Sequence, residues 1–210
     1  MRKRENWPLV SCITTTYQKF KYLYDTLDSI FTQNYPNIEL IIGDDGSSDF
    51  PEAVIWDYIQ THKGTNITNV IVHHNERNEG TVSNCANCRN LANGTYIMGI
   101  ASDDRFHDPF VISDVVEFFE HTGAQVVTCI RQFVDEQTDK EITCMPTKKQ
   151  RKWLEDLPPE KLFQKMASFP FVSGSSTYYT KDFYNRMGQY DRSFLYIEDV
   201  PFYLKILRRK

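Results

Sequence analysis

Two adjacent carboxylates, Asp103 and Asp104, stand just beyond the apolar run 96–100. Neighbouring acids repel each other unless a cation or hydrogen bonds compensate their charge. Oxygen ligands of this kind suit hard divalent ions such as Mg²⁺ and Mn²⁺. The pair therefore indicates a metal site or, as the simpler alternative, a solvated turn that caps the following helix.

A second acid pair, Asp44 and Asp45, follows the apolar run 38–43 and leads into a Gly-Ser-Ser turn. A carboxylate there could accept a hydrogen bond from an N–H of a ligand base, or it could cap the following helix. Thr15 and Tyr17 end an earlier apolar run. The Tyr17 ring could stack on a planar base or pack against the first helix as a rim aromatic.

A third pair, Glu198 and Asp199, precedes an apolar helical pattern near the end of the chain. Acids at a helix N-terminus are stabilised by the helix dipole, and spacing alone favours that structural interpretation. The chemical alternative is a general base that takes a proton from a hydroxyl group. These residues by themselves leave both interpretations open.

Strands and helices alternate up to residue 130, which predicts an α/β domain with a mostly parallel sheet and helices on both faces. The carboxyl ends of parallel strands meet at one edge, where ligands bind, so the first two acid pairs should converge there. The pattern then loosens, and 131–158 predicts a hairpin or a mobile segment. The predicted strands are 9–15, 38–43, 69–73, 95–100 and 125–130, and the predicted helices are 22–31, 51–61, 81–92, 108–120, 159–167 and 198–209.

Composition narrows the function classes. The 210 residues, 40% of them hydrophobic, suit one large domain. A net charge of −4 argues against a nucleic-acid partner. No apolar run is long enough to span a bilayer, and the first six residues predict no signal peptide. Five scattered cysteines suit a reducing compartment. Cys85 and Cys88 form a lone Cys-x-x-Cys, which favours small residues on a helix over a redox or zinc site.

Four stretches of the chain together resemble the family 2 glycosyltransferases. That resemblance implies the single-domain type A nucleotide-diphospho-sugar transferase fold, with a nucleotide-sugar-binding half at 1–130 and a smaller acceptor-side half at 131–210. It also implies inverting transfer of a sugar from a nucleotide diphosphate sugar, expected to be a UDP-sugar, to an acceptor hydroxyl. The stretches are PLVSCITTTY at 8–17, IELIIGDDGSSD at 38–49, NGTYIMGIASDD at 93–104 and Ile-Glu-Asp at 197–199.

The resemblance implies a nucleotide site at the ends of the first, second and fourth strands. Thr15, Tyr17 and Asp45, with Asp44 behind it, would hold the uracil and the ribose. Asp103 is assigned to the nucleotide as well as to the metal.

The resemblance also implies a metal and a base. Asp103 and Asp104 would hold Mn²⁺ or Mg²⁺ on the diphosphate, and Asp199, with Glu198 beside it, would deprotonate the acceptor. Many relatives begin the metal motif with a third acid, and here Ala101 takes that position.

Further expectations concern the helix before the fourth predicted strand, the acceptor side and the end of the chain. Where the family often carries Ala-Arg-Asn, this chain has 84–86, and Arg89 one turn on could serve instead. The acceptor side is expected from 169–179 and the following helix, and Trp153 could belong to a lid or be a buried anchor. The chain ends at Lys210, which suits either a small enzyme or a fragment that lacks a C-terminal region.

The family resemblance implies a glycan or lipid-linked acceptor in cell-surface polysaccharide or glycoconjugate assembly, at the cytoplasmic face of a membrane. The basic end 205–210 could touch anionic lipid, although a solvated helix end is the simpler interpretation. Two alternatives are a non-catalytic nucleotide-sugar-binding relative and a sugar nucleotidyltransferase. The latter class uses a glycine-rich loop after its first strand, and 14–19 contains no glycine; a dehydrogenase is disfavoured because no Gly-x-Gly-x-x-Gly occurs.

Overall fold

The computed structural model describes residues 6–208. Its main sheet has six strands in the order β3-β2-β1-β4-β8-β5, and a separate hairpin is formed by β6 and β7. Within the main sheet β8 is the antiparallel strand, because it pairs antiparallel with both β4 and β5. The strands are β1 Val10–Thr16, β2 Ile38–Asp44, β3 Ile67–His74, β4 Tyr96–Ala101, β5 Val126–Thr128, β6 Arg131–Val134, β7 Glu141–Met145 and β8 Thr177–Thr180.

The described part of the chain contains eight α-helices around the sheet, and a short 3₁₀ turn at Gly174–Ser176 precedes β8. Together the strands and helices confirm the predicted mixed α/β class with a mostly parallel sheet. No helix within residues 6–208 is both long enough and apolar enough to cross a bilayer. The helices are α1 Leu23–Phe31, α2 Glu52–His62, α3 Thr81–Leu91, α4 Val111–Thr122, α5 Lys148–Asp156, α6 Pro159–Ser168, α7 Lys181–Met187 and α8 Asp199–Arg208.

Two apolar layers cover the two faces of the sheet. Successive side chains of a strand point to opposite faces, so Cys12 packs with α1, α2 and α4, whereas Ile13 packs with α3, α6, α7 and α8. Leu40 and Ile41 divide in the same way. Burial on both faces explains why these strands are continuous apolar runs in the sequence, and helices on both faces are confirmed.

The segment 131–158 differs in part from its prediction. It contains the expected hairpin, but its second half is helix α5 rather than a mobile segment. A capping box starts this helix: the Thr147 hydroxyl accepts from the Gln150 N–H, and the Gln150 side chain accepts from the Thr147 N–H. Residues 1–5, which belong to the stretch that predicts no signal peptide, and residues 209–210 of the basic end lie outside the described residues.

A buried carboxylate joins the strands at the edge opposite their carboxyl ends. Glu39 accepts hydrogen bonds from the Ser11 hydroxyl at 2.6 Å, from the Asn93 N–H and side chain, and from the Asn69 side chain at 3.0 Å. Burial alone would raise the pKa of Glu39, but these hydrogen bonds hold it below its usual range. The network ties β1, β2 and β3 to the turn before β4.

Candidate functional site

The first two acid pairs meet at one edge of the sheet, as predicted. In β1, Thr15 pairs with Gly43 of β2 on one side and with Ala101 of β4 on the other, and all three strands run parallel. The strands that carry the two pairs are therefore separated by one strand, which places their axes roughly 10 Å apart. Topology alone produces this convergence.

Asp44 turns inward and organises the loop after β2. Its carboxylate is fully buried and accepts from the Ser47 N–H and hydroxyl, both at 2.7 Å. It also lies 2.8 Å from His74 Nδ1. The Ser47 hydroxyl in turn accepts from the Gln18 N–H at 2.8 Å, so Asp44 links the loops that follow β1 and β2. These partners give Asp44 a supporting position behind the edge.

Asp45 holds the segment that leads into α3. Its two oxygens accept from the Asn75 side chain and from the N–H groups of Glu79 and Gly80, at 2.9–3.0 Å. Asp45 is 3% exposed, so this carboxylate is a buried and well-ordered acceptor. Sequence reasoning missed Asn75, which follows β3 at the same edge and could have been found by extending the strand-end argument to the third strand.

Thr15 and Tyr17 occupy the rim of the edge in different ways. The Thr15 hydroxyl lies 3.7 Å from the Cys85 sulfur, while the Tyr17 ring is 41% exposed beyond the end of β1. An exposed ring leaves a face available for stacking. Cys85 and Cys88 are buried, and burial raises the pKa of Cys88 to about 12, so this Cys-x-x-Cys packs α3 as small residues do.

The second acid pair contains one exposed and one half-buried carboxylate. Asp103 is exposed, and Asp104 accepts from Arg131 Nη2 at 2.9 Å through Oδ1. The other oxygen, Asp104 Oδ2, is buried and accepts no hydrogen bond from any described residue. A buried acceptor without a donor is costly unless another group fills that role.

The two carboxylates fit a divalent ion that takes its other ligands from phosphate groups and water. Within residues 6–208, no group of three or more His, Cys, Asp or Glu side chains could hold a metal. Mg²⁺, however, is usually bound through one or two carboxylates together with substrate phosphates and water. The unpartnered Asp104 Oδ2 beside the exposed Asp103 supplies that kind of donor set.

The third acid pair stands at the start of α8. Asp199 accepts from the Gly174 N–H at 2.9 Å and from the Val200 N–H at 2.7 Å. A Cβ atom at Gly174 would lie 3.1 Å from Glu198 Oε1, so glycine lets the backbone approach both acids closely. Burial raises the pKa of Glu198, Asp199 adds to the shift, and Arg89 opposes it.

One arginine spans the space between the second and third acid pairs. While one guanidinium nitrogen of Arg131 binds Asp104, the other lies 3.4 Å from the Ser173 hydroxyl. Ser173 adjoins Gly174, whose N–H binds Asp199. Sequence reasoning missed Arg131, although a cation directly after the predicted strand 125–130 was a usable signal.

Two further predictions concern Arg89, which the structure buries, and Trp153, which is half-buried. Arg89 lies in the core, 4.6 Å from the Tyr190 ring centroid, and its Nη1 donates to the Cys85 carbonyl, so it does not face the open edge. Trp153 packs edge-on against Phe171 at 5.6 Å, which supports the anchor rather than the lid.

Comparison with known proteins agrees with the fold. The profile described as glycosyl transferase family 2 matches residues 11–188. An uncharacterised glycosyltransferase of Rickettsia typhi is 24% identical over 214 residues, covering 99% of this chain and 61% of that relative. The chain therefore spans about three fifths of that relative's length.

Two other proteins have informative names. An Escherichia coli protein named UDP-Glc:alpha-D-GlcNAc-diphosphoundecaprenol beta-1,3-glucosyltransferase WfaP is 35% identical over 113 residues, covering 53% of this chain and 41% of that protein. The structure of the mannosyltransferase PcManGT from Pyrobaculum calidifontis, in complex with GDP-Man and Mn²⁺, superposes with a TM-score of 0.67 at 15% identity, covering 94% of this chain and 51% of that one. The likeness in shape confirms the predicted type A nucleotide-diphospho-sugar transferase fold.

Proposed function

We propose that this chain, which belongs to glycosyl transferase family 2, moves a sugar from a nucleotide diphosphate sugar to an acceptor hydroxyl with inversion. The observation that carries the proposal is the arrangement of three acid pairs around one open edge of the sheet. Two pairs follow parallel strands on either side of β1, and the third is held against Gly174 from across that edge.

The nucleotide would bind at the ends of β1 and β2. Tyr17 offers an exposed ring face to the base, and the half-buried Thr15 lies beside it. Asp45, whose oxygens accept from Asn75, Glu79 and Gly80, would hold the uracil and the ribose from the buried side of the site. Asp44, buried behind them, would act by keeping the loop in shape. UDP is the donor nucleotide proposed, and the Escherichia coli relative, whose name includes UDP-Glc, supports that choice.

The diphosphate would lie against Asp103 and Asp104, which would hold Mn²⁺ or Mg²⁺. A bound divalent ion supplies Lewis-acid stabilisation of the leaving diphosphate. Asp104 Oδ2, which accepts from none of residues 6–208, supports this assignment, and so does the Mn²⁺ in the mannosyltransferase complex. Asp103 is exposed and can serve both the nucleotide and the ion.

Asp199 would act as the base, with Glu198 beside it. The acceptor oxygen forms a bond to the anomeric carbon and gives its proton to the Asp199 carboxylate. The bond from that carbon to the diphosphate oxygen breaks, and its electron pair leaves with the nucleotide diphosphate. Inversion needs this single displacement and a base on the face opposite the leaving group. The hydrogen bonds from Gly174 and Val200 orient the carboxylate for that task.

The acceptor is proposed to be a glycan or a lipid-linked saccharide in cell-surface polysaccharide synthesis. The Escherichia coli name, which includes a diphosphoundecaprenol acceptor, supports this class. We place the reaction at the cytoplasmic face of a membrane, with peripheral contact. The division into a donor half at 1–130 and an acceptor half at 131–210 belongs to the same proposal.

The test is a thermal-shift screen with UDP-, GDP- and dTDP-sugars, each with and without Mn²⁺. We expect a UDP-sugar to raise the melting temperature in the presence of Mn²⁺, because a ligand that binds only the native state stabilises it. EDTA should abolish the shift. The donor site is refuted if none of these nucleotide sugars raises the melting temperature under either condition. A shift with GDP-sugars alone would replace UDP.

A further inference from the structure

Arg131 lies between the second and third acid pairs. Its guanidinium binds Asp104 Oδ1 at 2.9 Å and lies 3.4 Å from the Ser173 hydroxyl. It packs over the Phe133 ring at 5.0 Å, and its side chain remains 30% exposed. The position of the Arg131 guanidinium and its partial exposure suit a group that binds a ligand.

The Asp104–Arg131 pair opposes metal binding at the same carboxylate. A metal ion and the Arg131 guanidinium would both bind the Asp104 carboxylate, and two cations on one carboxylate repel each other. Arg131 therefore neutralises Asp104 in the free protein, while the buried Oδ2 stays without a hydrogen-bond donor among the described residues. A divalent ion that took Asp104 would weaken the hold of Arg131.

A change of partner requires only a movement of the Arg131 side chain, whose backbone lies three residues beyond β5 at the base of the hairpin. β6 and β7 pair with each other in a sheet of their own. Exposed ion pairs connect the hairpin tip to the body, Lys21 with Glu136 and Arg105 with Asp139. Pairs of this exposed kind contribute about 0–1 kcal/mol each, so they restrain the hairpin only weakly.

We propose that Arg131 exchanges partners during donor binding: it neutralises Asp104 in the free protein and binds the donor diphosphate once metal and nucleotide sugar enter. This inference rests on the proposed function. A guanidinium presents paired N–H donors that match phosphate oxygens. Bond cleavage adds negative charge to the leaving diphosphate, and Arg131 would stabilise that charge together with the ion.

The competing explanation is that Arg131 only anchors the hairpin. Arg105 provides a matched control, because it is an arginine at the same edge whose ion pair with Asp139 also ties down the hairpin but does not include Asp104. Arg105→Gln loosens the hairpin without changing the charge on the carboxylate pair. Arg131→Lys is the second variant, since it keeps the positive charge and loses the two-nitrogen fork.

The experiment measures two binding constants for the purified chain and its variants, by calorimetry or thermal-shift titration. The first is for Mn²⁺ alone, and the second is for the UDP-sugar at saturating Mn²⁺. We expect Arg131→Gln to bind Mn²⁺ about threefold tighter, because a competing cation is gone. We expect it to bind the donor about tenfold or more weakly, because a charge-assisted hydrogen bond is lost. Arg131→Lys should keep wild-type Mn²⁺ affinity and lose part of the donor affinity.

Opposite shifts of the two constants are the signature of partner exchange. The inference is overturned, and Arg131 is left as an anchor, if Arg131→Gln changes both binding constants in the same direction or changes neither. It is also overturned if Arg105→Gln has the same effects as Arg131→Gln. Should Arg131→Gln fail to fold, an unchanged donor affinity in Arg131→Lys overturns it equally. Wild-type protein that bound neither Mn²⁺ nor any nucleotide sugar would instead overturn the proposed function.

Discussion

Substitution of Asp199 by Asn tests the assignment of the base. Loss of a general base typically lowers the rate of the chemical step about 10²–10⁴-fold. The structure adds a cost in stability, because each Asp199 oxygen accepts one backbone N–H, from Gly174 or from Val200. An amide has one oxygen, so one of these N–H groups would face an NH₂ donor. An unsatisfied buried donor costs about 1–3 kcal/mol.

That cost predicts a lower melting temperature alongside the lost activity. A chain of this size loses about 2–4 °C per kcal/mol, so we expect Asp199→Asn to melt a few degrees and up to about 12 °C lower. The assay follows release of the nucleotide diphosphate at saturating donor, with donor affinity and melting temperature measured on the same sample. Donor affinity should stay within about threefold of wild type, since Asp199 is assigned to the acceptor.

Asp191→Asn is the matched control for this measurement. Asp191 also accepts hydrogen bonds from the chain that follows it, the Ser193 N–H and hydroxyl, but through a single oxygen in an exposed turn. An amide can reproduce that arrangement, so activity should be unchanged. Transfer by Asp199→Asn at a wild-type rate would refute the assignment, and a loss confined to Glu198→Gln would move the base by one residue.

Three further perturbations probe the scaffold and the metal pair. Glu39→Gln removes acceptor capacity from a buried network and should lower the free energy of unfolding by about 2–4 kcal/mol in urea denaturation at pH 7. The pKa of Glu39 is lowered in the folded state, so its contribution to the free energy of unfolding is present above its pKa in the unfolded chain and is lost as the pH falls through its folded pKa. The difference in the free energy of unfolding between Glu39→Gln and wild type should therefore close in acid. A difference that stays constant with pH would contradict the reasoning. Ala101→Asp adds a third carboxylate and should tighten Mn²⁺ binding about tenfold by calorimetry, whereas no change would place the ion elsewhere. Gly46→Ala puts a Cβ atom 2.6 Å from Arg77 Cα at a positive φ of 74°, so we expect a stability loss of about 1–3 kcal/mol and weaker UDP binding; an unaltered melting curve would show that the turn relaxes freely.

The sequence by itself determined the first five strands, their order along the chain and the edge at which the acids gather, whereas the antiparallel strand β8 was not predicted. Strands buried on both faces must be continuous apolar runs, which is why β1, β2 and β4 could be located within a residue or two. Polar residues that follow such runs necessarily leave the core at the strand ends. The resemblance then supplied roles for those residues, and the family match agrees with it.

Only the tertiary structure decided how far each acid is buried and which groups bind it. Asp44 and Asp103 are each the first acid of a pair at the end of a strand. Asp44 is nevertheless fully buried and bound by Ser47, whereas Asp103 is exposed. The partners that create this difference are remote in sequence: Arg131 reaches Asp104, and Gly174 reaches Asp199. Periodicity in a sequence reports which face of an element is buried. The pairing of charges depends on how loops from distant elements pack against one another, and local pattern carries no record of that.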